Sequence, residues 1–70
     1  MSTDWEEALE IVDEIHEVAD DVPERGEDFA ISVTEKARSI GATIAEREHV
    51  TDAQMEALEN MLAGLQRWVR

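Results

Sequence analysis

From Trp5 onward, apolar residues return every three or four positions. Leu9, Val12, Ile15, Ala19 and Val22 fall on one line, and Ala8, Ile11 and Val18 widen it on one flank. A period close to 3.6 predicts an amphipathic helix, here with a broad apolar stripe. Thr3 with Glu6 has the spacing of a capping box, in which each side chain satisfies a free amide of the first turn. Pro23 pushes Val22 out of the helical region. The first helix is therefore expected over about residues 4–21, with Glu24, Arg25 and Gly26 as a short connection.

A second stripe, Phe29, Val33, Ala37, Ile40 and Ile44, runs toward His49. Asp28 can cap it, which predicts a helix over about 29–48. Gly41 interrupts that helix at a cost of about 1 kcal/mol relative to alanine; it is either a place where a neighbouring helix comes close or a tolerated imperfection. Thr51 with Gln54 repeats the capping-box spacing, and Val50 can staple onto Met55. Met55, Leu58, Leu62, Leu65 and Val69 then make a regular seam flanked by Met61 and Trp68, predicting a third helix over about 52–69.

No strand pattern competes, so the expected fold is all-α, a single helical domain over 1–70. Connections of a few residues imply antiparallel neighbours. Two arrangements satisfy this: a three-helix packing, or an antiparallel hairpin of helices 2 and 3 with a more loosely attached acidic helix 1. A chain of 70 residues buries little of its surface, about 60% of what it exposes unfolded. With no cysteine to form disulfides or thiolate metal sites, self-association is the expected source of extra stability. Trp5, Leu9, Val12, Ile15, Leu58, Leu62, Leu65 and Trp68 are the residues expected to build the core and hold a homo-oligomer.

Charge changes this picture. Of 18 acids, 12 lie within residues 1–28 against the single cation Arg25, whereas residues 29–70 carry a nearly balanced surface. The excess argues against direct contact with nucleic acid, whose phosphates need Lys and Arg. Glu6, Glu10, Asp13, Glu17 and Asp20 line one ridge of the first helix, and Glu7, Glu14 and Asp21 a second. Like charges at these spacings repel by a few tenths of a kcal/mol per pair. The first ridge is the candidate binding surface for a basic or nucleic-acid-binding protein. Acids from Asp4 to Asp21 recur at roughly one per 3 Å of helix axis, near the ~3.4 Å per phosphate of a DNA strand. The competing reading is a solvated face or salt adaptation. One Lys against five Arg suits adaptation, but twelve Glu against six Asp does not.

Other chemistry has little to stand on. Asp13 with His16 and Glu46 with His49 have the i, i+3 spacing of helix-borne di-iron ligands, yet the acids lie on outer ridges and His49 at a helix end. A carboxylate and histidine metal protein is thus a lesser alternative, and no metal or other cofactor is expected. Ser32 and Ser39 have no identifiable base, there is no glycine-rich phosphate loop, and a chain this short can hardly enclose a pocket that separates two carboxylate pKa values. No catalytic residue is assigned and no enzyme activity is expected. The N-terminus has no basic segment followed by an apolar run, and no stretch of 18 apolar residues occurs; a cytoplasmic location without membrane contact is the expectation.

Residues 29–70, with Phe29, Val33 and Lys36, the Thr51, Asp52, Ala53, Gln54 start and the Ala57, Leu58, Glu59, Asn60, Met61 run before Arg67 and Trp68, resemble helical hairpins of small phage and prophage-type proteins of uncharacterised function. In size and composition the chain is similar to the acidic DNA-mimic inhibitors that phages and mobile elements use against restriction or CRISPR enzymes. These resemblances imply a phage or mobile-element origin and no particular functional residue. The combined expectation is an acidic helical interaction module that docks a basic partner, with a DNA-mimic inhibitor and a purely structural oligomer as alternatives.

Overall fold

A computed structural model describes residues 3–69. It contains α1 (Asp4–Asp20), a 3-10 turn (Glu24–Gly26), α2 (Glu27–Arg47) and α3 (Asp52–Val69), with no strand among the described residues. The fold is all-α, a small three-helix arrangement.

The starts of the helices follow their local chemistry to different degrees. At α3 the box is reciprocal: the Gln54 amide donates to Thr51 Oγ1 at 3.1 Å and the Thr51 amide donates to Gln54 Oε1 at 2.9 Å. At α1 it is half formed. The Glu6 amide donates to Thr3 Oγ1 at 3.4 Å, while the Glu6 carboxylate accepts from the Thr3 hydroxyl rather than from its amide. Asp28 does not cap α2. The Glu24–Gly26 turn, closed by the Gly26 amide donating to the Pro23 carbonyl at 2.8 Å, runs directly into α2 with Gly26 at the cap position and no side-chain cap. The start therefore moves two residues ahead of the expected one, and Asp28 becomes a first-turn acid, favourable to the helix dipole.

α2 ends at Arg47, with Glu48 in the left-handed region at φ 51°. An L-residue there costs roughly 1–2 kcal/mol that glycine avoids, and an acid is the wrong charge for a helix C-terminus. Replacing Glu48 by glycine removes both penalties at the expense of added unfolded-state freedom. The net expected result is a gain of about 1 kcal/mol, read as a higher midpoint in urea.

α1 takes the largest share of the packing, against both α2 and α3, whereas α2 and α3 meet each other less. This answers why its stripe is wide: one flank serves each neighbour. Gly41, in the C-terminal half of α2, lies against Val12 at the middle of α1 and Leu9 toward its start; Gly64, late in α3, lies against Phe29 at the start of α2. Hence α2 is antiparallel to both other helices, and α1 and α3 run parallel. A β-carbon on Gly41 would stand 3.3 Å from Val12 Cγ2, so this glycine marks a close approach of α1 and α2.

The core is a single cluster of Ala8, Val12, Ile15, Ala30, Val33, Ala37, Ile44, Leu58 and Leu65. Phe29, expected to open the α2 stripe, is instead 42% exposed. Its ring leans on Trp68, with centroids 6.5 Å apart and planes at 38°, and Trp68 in turn lies close against Gly26. No described helix is long and apolar enough to cross a membrane.

Candidate docking surface

With successive residues about 100° apart around a helix, the apolar positions of α1 cover roughly half its circumference, and the eight acids from Glu6 to Asp21 share roughly 140° of the other half. Burial follows that division. Ala8, Val12 and Ile15 are buried, whereas Glu6, Glu7, Glu10, Asp13, Glu14, Glu17, Asp20 and Asp21 are all exposed. The Glu6, Glu10, Asp13, Glu17 and Asp20 ridge borders the α2 side, and the Glu7, Glu14 and Asp21 ridge borders the α3 side.

The acids stand on the helix with the most packing in the protein, so the row of charge is held by the core rather than by a loop. It has little internal compensation. Arg25, the one cation in the first 28 residues, lies with its guanidinium carbon 5.8 Å from the centre of the Trp68 ring. The last turn of α1 contains no basic residue, and Asp20 and Asp21 there oppose the negative end of the helix dipole. The charge is thus sustained by burial of the opposite face.

Two grooves flank this face. Near the start of α1 and α3, Asp4, Glu7, Asp52 and Glu59 surround Ile11, Val50 and Met55 in a space of about 300 Å³. α3 therefore adds two acids to the α1 surface. Between the C-terminal half of α1 and the N-terminal half of α2, a groove of about 580 Å³ has Ala19, Val22, Ala30 and Ile31 as its apolar lining, with acids Asp20, Glu24 and Glu27 and, farther along, His16, Thr34 and Arg38. Ile31 is 48% exposed. The helical pattern alone passes over it because it stands off the α2 stripe, two positions from both Phe29 and Val33. A large apolar residue off the stripe was the available signal.

Of the residues expected to build core and assembly, Val12, Ile15, Leu58 and Leu65 are buried within this one chain, while Trp5, Leu9, Leu62 and Trp68 are half-buried. The candidate metal pairs are placed apart from any shared centre. His16 is half-buried and its Nδ1–H donates to the Val12 carbonyl at 2.8 Å, since a carbonyl can only accept. Glu46 and His49 are exposed, His49 beyond the end of α2. Among the described residues no group of three or more His, Cys, Asp or Glu side chains is arranged to hold a metal ion.

No protein-family model matches the chain, and no curated protein or solved structure matches it either.

Proposed function

We propose that this chain is a non-enzymatic acidic interaction module that docks a basic protein through the Glu6, Glu10, Asp13, Glu17 and Asp20 ridge of α1. The observation that carries the reading is the division of α1: one half is packed against both other helices, and the other is a continuous exposed row of acids without cations among them. A rigid row of like charge is already organised before a partner arrives, so binding loses little conformational freedom and gains relief of repulsion. Its sharper form is imitation of a DNA backbone, supported by the two parallel ridges and their roughly 3 Å charge recurrence. In that form the partner is a nucleic-acid-binding enzyme and the module its inhibitor.

Self-association belongs to the same proposal. Val12, Ile15, Leu58 and Leu65 are occupied within the chain, so a second copy would meet the half-buried Trp5, Leu9, Leu62 and Trp68 together with exposed Phe29 and Val69.

The test is retention of proteins from a cell lysate, comparing the native chain with one carrying Glu6→Gln, Glu10→Gln, Asp13→Asn, Glu17→Gln and Asp20→Asn. The expected result is a basic protein retained by the native chain alone, and lost as salt shortens the range of the attraction below about 10 Å. Equal retention by both chains would reduce the acids to a solvated face.

A further inference from the structure

The α1–α2 groove has features that a bare row of acids lacks. Its lining combines the apolar residues Ala19, Val22, Ala30 and Ile31 with charged and polar side chains, and Ile31 stands half in solvent. Its charge is uneven along its length. Asp20, Glu24 and Glu27 crowd the end at the helix connection, while His16 and Arg38 stand toward the other end. From Glu27 to Arg38 the groove follows about 17 Å of α2, close to three turns of a docked helix. The groove also adjoins the docking ridge, because Asp20 belongs to both.

We propose that this groove receives a short basic amphipathic helix of another protein, about three turns long, whose apolar residues cover Ile31 and whose cations gather at the Asp20, Glu24 and Glu27 end. The inference rests on the acidic docking reading above and specifies its partner. Charge complementarity selects a cationic segment, and Arg38 confines its cations to one end. The half-exposed Ile31 among the acids selects a segment with an apolar face rather than an evenly charged tail, in the manner of an amphipathic helix lying in a groove. A surface that imitated only phosphates would not need Ile31.

The probe is a twelve-residue synthetic helix with leucines along one face and lysines grouped at one end, compared with a scrambled peptide of the same composition, by titration calorimetry at low salt. The native chain is expected to bind the amphipathic peptide about tenfold more tightly than the scrambled one, the order expected for covering one aliphatic side chain. Ile31→Gln keeps the charge and a good helix former at an exposed position, and is expected to erase that preference. Amide resonances of Ala19, Ala30, Ile31 and Thr34 are expected to shift most. If both peptides bind equally and Ile31→Gln changes nothing, the groove proposal is overturned while the acidic docking reading stands. If neither peptide binds, the groove proposal is overturned, and the ridge-neutralised variant decides the acidic docking reading separately. A dimer in sedimentation that Ile31→Gln dissociates would place a second copy in the groove and likewise overturn the proposal.

Discussion

Ile15→Ala is expected to destabilise the protein by about 3–4 kcal/mol, the range for truncating a fully buried aliphatic side chain in a site that cannot collapse around the loss. Ile15 is 0% exposed and lies on the middle line of the α1 stripe, between the flank that meets α2 and the flank that meets α3. Its removal leaves a gap shared by both main interfaces. A chain of 70 residues has roughly 3.5–10 kcal/mol of total stability at typical values per residue, so the variant sits near its folding threshold at 25 °C. Urea unfolding followed by helical circular dichroism checks it, with a midpoint expected to fall by about 3–4 M for a slope near 1 kcal/mol per M. Leu62→Ala, at a half-buried position on α3, provides the internal comparison and is expected to cost about half as much or less. Equal costs for the two would mean that α1 is not the element on which both neighbours depend.

The next largest effect is expected at Gly26. Its φ of −107° is open to any residue, and alanine would ordinarily stabilise such a site by restricting the unfolded chain. Space decides otherwise. A β-carbon would lie 2.8 Å from Val22 Cγ1 and 2.9 Å from two atoms of the Trp68 ring. Val22 is stiff at χ1, so the indole near the end of α3 is the group that must leave, taking with it the contact to Phe29 and the stacking under Arg25. Gly26→Ala is expected to cost about 2 kcal/mol, within the range for overpacking. In a Trp5→Phe background the remaining Trp68 fluorescence should shift to the red. Unchanged emission together with unchanged stability would show that the end of the bundle has room to spare.

Much of this fold is legible in the residue pattern because each helix carries a stripe of one period and two of the three carry a working start signal. The third helix is read best, since Thr51 and Gln54 satisfy one another locally and need nothing from the rest of the chain. The start of α2 is read less well. Asp28 is a good cap by type, but the turn from Pro23 to Gly26 already leads the backbone into helix. Phe29 fits the stripe by spacing but stands exposed against Trp68, a residue 39 positions later that no local window contains. The acidic ridge is visible in the sequence as a periodic row, because exposed charge on a helix needs only the helix to be placed. Its relation to the α1–α2 groove is not visible, since Ile31 and Arg38 come to line one groove with Asp20 and Glu24 only through the antiparallel packing of two helices.

On this reading α1 holds its acids in place against their own repulsion in order to meet a cation. The most direct measurement is therefore stability and partner retention on one variant, the chain with Glu6→Gln, Glu10→Gln, Asp13→Asn, Glu17→Gln and Asp20→Asn. Neutralising the ridge relieves several like-charge pairs at a few tenths of a kcal/mol each and removes an acid from the C-terminal turn of α1. Relative to the native chain at low salt, the variant is predicted to melt a few degrees higher and to lose the retained basic protein. A variant that melts lower and retains the same proteins would make the acids part of what holds the helix rather than what it offers to a partner.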